Sequence, residues 1–201
     1  MMNFSNERLT KQIDFLIEID AMKNVLRQTL LADGSRREND AEHSWHFAVM
    51  AMILQEYAYS PEVDISRVLK MALVHDLIEV YAGDTFCYDD AGNSTKEARE
   101  REAADKLFGK LPAEQGAEIR ALWEEFDAME TPDAIYAASL DRLQPLINNY
   151  LTQGHTWKKG NVTSDKVYKR MEPIRTGMPQ VWEVVEFMIT DSIRRGFLKE
   201  N

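Results

Sequence analysis

Residues 65–84 read ISRVLKMALVHDLIEVYAGD, and this stretch decides the fold of the chain. Its first half carries apolar residues at helical spacing, namely Ile65, Val68, Leu69, Ala72 and Leu73. Such a stripe predicts a helix whose apolar side packs against other helices. Because the next strong break is Gly83, the sequence predicts one continuous helix up to that glycine, with Asp84 just beyond it.

Polar residues stand in the second half of this helix, where further apolar ones would be expected. His75, Asp76 and Glu79 are three or four positions apart, so all three can project from one side. Burying an imidazole and two carboxylates is costly unless a partner compensates them. A metal ion is one such partner. The plain alternative is a His-Asp pair at a helix end, where an imidazole suits the helix dipole.

Length and charge limit the partners of the chain. It has 201 residues, of which 44% are hydrophobic, and a formal net charge of -10. This length predicts one globular domain over residues 1–201. The charge argues against a nucleic-acid polymer as a partner. A small phosphorylated ligand stays open, because a metal ion and one or two arginines can bind it locally.

The sequence also indicates a compartment. Cys87 is the one cysteine, which excludes an internal disulfide framework and fits a reducing cytoplasm. The longest apolar run, residues 47–54, is far shorter than the roughly 20 residues that span a bilayer. Residues 1–8 lack the layout of a secretory signal. We therefore expect a cytoplasmic protein without a membrane partner.

Helical periodicity recurs along the rest of the chain. Further helices are predicted over about 7–31 with an interruption near 20, over 41–59, from 94 or 95 to 108, from 111 onward, from 131 past 147, and over about 163–198 with breaks at Pro173 and Pro179. Residues 84–95 and 157–161 are predicted as loops. No run of alternating β-branched residues reaches strand length. The predicted fold class is all-α.

Three more polar residues interrupt apolar patterns. His43 and His46 lie three positions apart just after Asp40, the predicted N-cap of its helix, so both can face the core. Asp141 stands inside a later helix, where aspartate is favoured neither by propensity nor by burial. The alternative for Asp141 is a salt bridge with Arg142 or another arginine, and a lone interior histidine is usually just hydrogen-bonded.

Four candidate metal ligands thus come from three predicted helices: His43, His75, Asp76 and Asp141. Two imidazoles and two carboxylates suit a divalent first-row metal such as Mn²⁺, Fe²⁺, Co²⁺ or Zn²⁺, with positions left for water. A closed structural zinc site is not predicted, because no cysteine takes part. Open positions indicate catalysis, in which a metal acidifies water and polarises a phosphoryl oxygen.

The spaced pattern H…HD…D resembles that of the HD-domain metal-dependent phosphohydrolases, and most closely their 5′-deoxynucleotidase branch. Three segments carry the resemblance: Ala-Glu-His43-Ser, the string HDLIEVYAGD of residues 75–84, and Ser-Leu-Asp141-Arg-Leu. It covers about residues 15–151. It implies a single HD-domain helical bundle with the metal site between central helices, on which the C-terminal helical region of about 163–198 packs.

The resemblance also implies a role for each site residue. The metal ligands would be His43, His75, Asp76 and Asp141, holding one divalent ion (Mn, Co, Fe, Zn or Mg), with His46 left to packing.

Glu79 and Asp84 would be the catalytic residues. Asp84 would orient or deprotonate the attacking water, and Glu79 would handle the proton on the leaving ribose oxygen. An arginine of the first helical region contacts the phosphate in relatives. Arg27 is the best match, and Arg36 is the alternative.

The implied reaction is hydrolysis of a 2′-deoxynucleoside 5′-monophosphate to nucleoside and phosphate, by in-line attack of metal-activated water. The resemblance further implies a homodimer, for which residues 182–188 offer an apolar face.

Other functions are compatible with the same residues. The site could serve deoxynucleoside triphosphates or another small phosphate ester, or the fold could bind a nucleotide without turning it over. A plain helical interaction protein would make the four ligand-type residues a coincidence. Cys87 beside the site suggests a nucleophile, but a small buried thiol is favoured because no partner base is identifiable.

Overall fold

The all-α prediction is confirmed in a computed structural model, which describes residues 5–201. Residues 1–4, part of the stretch in which we expect no secretory signal, lie outside that range. The helices are α1 (Glu7–Ile19), α2 (Asp40–Ile53), α3 (Ile65–Val74), α4 (Glu79–Ala82), α5 (Asp90–Asn93), α6 (Lys96–Phe108), α7 (Ala113–Ala128), α8 (Pro132–Leu151), α9 (His155–Lys159), α10 (Ser164–Gly177) and α11 (Trp182–Arg194). Short 3₁₀ helices lie at Asp20–Asn24, Gln55–Tyr57 and Pro179–Val181.

The expectation of no strands is wrong at one place. The first predicted helix does break near Asp20, but the chain then forms strand β1 (Leu26–Leu30), which pairs antiparallel with β2 (Arg37–Asn39). The Arg37 guanidinium donates hydrogen bonds to the backbone carbonyls of Leu26 and Arg27. The two strands have five and three residues and each buries one polar side chain, Thr29 or Glu38, so no period-2 hydrophobic pattern marks the hairpin in the sequence.

The prediction of a single helix over residues 65–84 is also wrong, because the structure has two helices there, α3 and α4, joined by a turn. Helix α3 starts as expected, with the Asp64 side chain accepting from the backbone N–H groups of Ser66 and Arg67. It ends at Val74, and tighter i to i+3 bonds follow, such as Leu77 N to Val74 O at 3.0 Å. The one-turn helix α4 then begins at Glu79. His75 and Asp76 therefore lie on a turn between two helices.

Two further assignments also differ from the prediction. Asn39, rather than Asp40, caps α2, in a capping box with Glu42. Residues 157–161, expected as a loop, lie largely in α9, where Trp157 is fully buried. One buried indole anchors this polar stretch to the core, which a search for periodic apolar spacing cannot detect.

The largest core cluster joins the central helices to the C-terminal ones. Its members include Phe47 of α2, Met71 of α3, Leu140 of α8, Ile174 of α10 and Ile189 of α11, all at 0% exposure. Helix α8 contacts α2, α3, α7, α10 and α11. Asp141 lies in the middle of this helix, so the core that surrounds α8 also holds the aspartate in place.

Gly177 of α10 lies directly against α8, and we expect Gly177→Ala to lower the free energy of unfolding by about 1–3 kcal/mol. An added Cβ would overlap Ser139 Oγ and lie 3.0 Å from the Ile135 carbonyl oxygen. The hydroxyl has little freedom, because it donates to the carbonyls of Ile135 and Pro173 at 2.7 and 2.9 Å.

Urea unfolding followed by circular dichroism measures this loss. The matched control is Thr176→Ala, an exposed neighbour on the same helix, which should change stability by less than about 0.5 kcal/mol. A Gly177→Ala protein as stable as the wild type would contradict the close packing.

Candidate metal centre and cleft

The structure brings the four predicted metal ligands into one cluster. His43 Nε2 lies 3.1 Å from Asp141 Oδ1 and 4.0 Å from Asp76 Oδ2. His75 Nε2 lies 3.1 Å from Asp76 Oδ2 and 3.7 Å from Asp141 Oδ1. These atoms come from α2, from the turn after α3 and from α8, so residues nearly 100 positions apart face one point.

The spacing of these atoms fits a shared cation. Nitrogen and oxygen ligands at about 2.0–2.2 Å from one metal stand about 3–4 Å from each other. His75 Nε2 is buried and has no hydrogen-bond partner within residues 5–201. An orphaned imidazole nitrogen facing two carboxylates is the environment of a metal ligand.

Hydrogen bonds on the far side of each imidazole set its tautomer. His43 Nδ1 lies 3.0 Å from Gln144 Oε1, and His75 Nδ1 lies 3.0 Å from the Ala72 carbonyl oxygen. Both partners only accept, so each Nδ1 carries the proton. When the imidazole is neutral, its Nε2 then directs a lone pair at the cluster, as metal-binding histidines do.

The sequence prediction missed Glu38 and Gln144, which support this arrangement. Gln144 Nε2 donates to Glu38 Oε1 at 2.7 Å and lies 3.3 Å from His46 Nδ1, which places His46 behind the cluster rather than in it. Gln144 lies three positions after Asp141, hence on the same side of α8. That spacing was the available signal.

A second group of acids borders the cluster. Asp40, Asp76 and Glu79 have carboxylate oxygens within 4.8 Å of one another. Asp40 is fully buried and is not the cap, and both of its oxygens lack a hydrogen-bond partner among the described residues. One oxygen of Glu79 and one of Asp84 are likewise unpartnered within residues 5–201. Glu79 and Asp84 both line a cleft of about 170 Å³, together with His75, Asp76 and Asp141.

Burial and like charges change how these acids titrate. Burial, followed by the charges of Asp76 and Asp40, raises the pKa of Glu79 well above its ordinary value. Burial raises the pKa of Asp84 as well. A carboxyl that keeps its proton near neutral pH can donate it to a leaving group.

The two candidate phosphate-binding arginines occupy different environments. Arg27 lies on β1, not on a helix, with Nη1 2.7 Å from Asp76 Oδ2 and 3.5 Å from Asp40 Oδ1. It lines the cleft. Arg36 is exposed and pairs with Glu42 at 2.5 and 2.9 Å, so the structure does not bring it to the cluster.

Comparison with known proteins identifies the family of the chain. Residues 19–182 match the family model described as the HD domain. The chain belongs to the HD-domain family. A solved structure of a predicted metal-dependent phosphohydrolase from Magnetospirillum magnetotacticum MS-1 is 51% identical to this HD-domain protein. The alignment covers 99% of this chain and 100% of that one, with a TM-score of 0.93.

Curated relatives of this HD-domain protein carry a more specific name. The human 5′-deoxynucleotidase HDDC2 is 28% identical over 145 residues, which cover 72% of this chain and 69% of the human protein. The Danio rerio protein of the same name is 33% identical over 110 residues, covering 55% of this chain and 53% of its own. A conserved hypothetical protein from Pyrococcus furiosus, at 20% identity and a TM-score of 0.58, shares the fold.

The charges in the cluster of this HD-domain protein shift the pKa values of His75 and Asp141 in opposite directions. Burial disfavours its imidazolium, but the carboxylates of Asp76 and Asp141 outweigh burial and raise the pKa of His75 to about 10. The same contacts act in reverse on Asp141, where burial is outweighed by His43 and His75, which lower the pKa of that carboxyl well below its ordinary value. The cluster is therefore built to hold positive charge.

The prediction of a buried Cys87 thiol is wrong. Cys87 is exposed and lines the cleft of this HD-domain protein, beside Phe86 and Tyr88. The segment after Gly83 forms a wall of the cleft, in which the half-buried rings of Phe86 and Tyr88 pack against the core and the Cys87 side chain faces outward. Among residues 5–201, no helix has the length and apolar content needed to cross a bilayer.

Proposed function

We propose that this protein is a metal-dependent 5′-deoxynucleotidase, which hydrolyses 2′-deoxynucleoside 5′-monophosphates to nucleoside and phosphate. The observation that carries the proposal is the cluster of two buried imidazoles and two carboxylates, His43, His75, Asp76 and Asp141. Two further acids, Glu79 and Asp84, line the same cleft. The names of the curated relatives support the choice of substrate class.

In this proposal His43, His75, Asp76 and Asp141 hold one divalent ion, which is Mn, Co, Fe, Zn or Mg. Gln144 and the Ala72 carbonyl keep the imidazoles in the ligating tautomer. When bound, such an ion polarises a phosphoryl oxygen and lowers the pKa of water.

Glu79 and Asp84 perform the proton transfers. The oxygen of a water molecule attacks phosphorus, the bond from phosphorus to the ribose 5′ oxygen breaks, and that oxygen takes up a proton. Asp84 accepts the proton of the water through its unpartnered oxygen. Glu79 supplies the proton to the leaving oxygen, a role that its raised pKa favours. Both side chains face the cleft, where they meet a bound phosphate ester.

Arg27 orients the phosphate in the same proposal. Its guanidinium lies among the acidic side chains of the cleft, where it pairs with Asp76 and Asp40. A guanidinium pinned by two carboxylates retains free donors that can bind a phosphoryl oxygen in a fixed direction. Arg36 does not share this role, since its own donors bind Glu42 on the surface.

We further infer that the enzyme works in the cytoplasm and as a homodimer. The exposed side chains of Val184 and Phe187 on α11, at 43% and 58% exposure, support an interface there. Val185 and Ile189 on the opposite side of the same helix pack into the core.

The experiment that tests the proposed function is a phosphate-release screen. Metal-free protein is reloaded with Mn²⁺, Co²⁺, Zn²⁺ or Mg²⁺ and assayed against all deoxynucleoside and ribonucleoside 5′-monophosphates. We expect phosphate from the deoxynucleotides with at least one metal and none after chelation. Metal-loaded protein that releases no phosphate from any nucleotide would refute the proposal.

A further inference from the structure

The two oxygens of Asp141 face different groups. Oδ1 lies toward the imidazoles, at 3.1 Å from His43 Nε2. Oδ2 lies toward two guanidinium groups, at 3.7 Å from Nη1 of Arg142 and 3.5 Å from Nη2 of Arg170. Two cations therefore share one carboxylate oxygen, and that carboxylate is also a proposed metal ligand. The positive charge on this side exceeds the negative charge that faces it.

The two arginines are held differently. The Arg142 side chain is 9% exposed, and its Nη1 donates to the Ala138 carbonyl oxygen at 2.8 Å while its Nη2 lies 3.1 Å from Met129 Sδ. Arg170 reaches in from α10 with its side chain 35% exposed. Arg142 is thus fixed in the wall, and Arg170 presents its donors toward solvent in the cleft.

Both side chains face the space that a ligand would occupy. Each lines the 170 Å³ cleft of the metal cluster, and each also lines a wider groove of about 770 Å³ that adjoins it. Lys169 extends the positive charge along that groove. The junction of the two cavities is therefore cationic within a chain whose net charge is -10.

Other residues of the cleft carry the opposite charge. Asp76, Glu79 and Asp84 line it, Asp40 lies close to the first two, and Arg27 is already paired with Asp76 and Asp40. A phosphate dianion approaching the metal cluster meets like charges at these acids, with Arg27 as a cation among them. The α8–α10 side is where its remaining oxygens would find donors of opposite charge.

We propose that Arg142 and Arg170 form an anion seat that binds the phosphate group of the substrate from the α8–α10 side of the cleft. This inference rests on the proposed function for the identity of the ligand, a phosphate monoester. Arg170 supplies the direct contact, and Arg142 supplies charge from behind it. Arg170 lies outside the H…HD…D pattern, so the resemblance alone did not indicate it.

The rival explanation is that Arg170 only orients Asp141. Direct binding of inorganic phosphate and of Mn²⁺ by calorimetry separates the two. We expect Arg170→Gln to raise the Kd of the Mn²⁺-loaded protein for phosphate by about ten- to a hundredfold, and Arg170→Lys to raise it less. The Kd for Mn²⁺ itself should change by less than about threefold.

The matched control is Arg175→Gln. Arg175 lies on the same helix, stacks on Trp182 and lines neither cavity, although its partner Glu172 borders the wider groove, so its variant should bind phosphate as the wild type does. An unchanged phosphate Kd in Arg170→Gln overturns the inference, as does a wild type that binds no phosphate. A loss of Mn²⁺ affinity as large as the loss of phosphate affinity also overturns it.

The outcome is independent of turnover. Wild-type protein that binds phosphate through Arg170 but releases none from deoxynucleotides would remove the proposed function and leave the anion seat in place. Turnover with an unchanged phosphate Kd in Arg170→Gln would do the opposite.

Discussion

Asp76→Asn should lose tightly bound metal and with it at least about a thousandfold of the rate of phosphate release. Asp76 Oδ2 lies 3.1 Å from His75 Nε2 and 2.7 Å from Arg27 Nη1. This one carboxylate therefore contacts both a proposed metal ligand, His75, and the proposed phosphate-binding residue, Arg27. Asparagine keeps the shape of the side chain and removes its charge. A neutral amide is a far weaker partner for a divalent cation than a carboxylate.

Metal content after reloading and desalting, together with released phosphate, measures this effect. The helical circular-dichroism signal should remain near that of the wild type, because the core cluster does not include Asp76. Asp105→Asn serves as the control, since Asp105 is exposed on α6 and pairs with Arg120. Full metal occupancy and turnover in Asp76→Asn would remove the metal assignment.

Glu79→Gln should behave differently, with metal retained and phosphate release reduced by about a hundred- to ten-thousandfold. Glutamine occupies the same volume at this buried position, at 6% exposure, but it can neither donate nor accept a proton in catalysis. Glu79 is not one of the four proposed metal ligands. Its loss therefore acts on the chemical step rather than on the cation, and kcat should fall while the Kd for Mn²⁺ stays within a few fold.

Glu100→Gln is the matched control for Glu79→Gln. Glu100 also lines the cleft, but its carboxylate lies 3.4 Å from Lys96 Nζ on the same helix. It should keep most of the activity. If Glu79→Gln released phosphate at the wild-type rate, the proton-transfer role proposed for Glu79 would be wrong, whatever the metal content of the variant.

The sequence does not distinguish the environments of Arg27 and Arg36, which the structure shows to be different. Both are arginines of the same locally basic region, and their sequence positions rank them only weakly. The β1–β2 hairpin directs Arg27 into the cleft, while Arg36 pairs with Glu42 on the surface. The hairpin itself left no alternation in the sequence, because its short strands bury only one polar side chain each.

The sequence by itself determined the fold class, the family and the set of residues with ligand chemistry. Helical spacing is a local property, and polar side chains such as His75 and Asp141 stand out against an apolar pattern wherever they occur. Only the tertiary structure decided which of these groups meet, that the central helix ends before His75, and that Gln144, Glu38, Asp40 and Arg170 surround them. These contacts join residues far apart in the chain, and their distances depend on the packing of whole helices around α8, which no local pattern encodes.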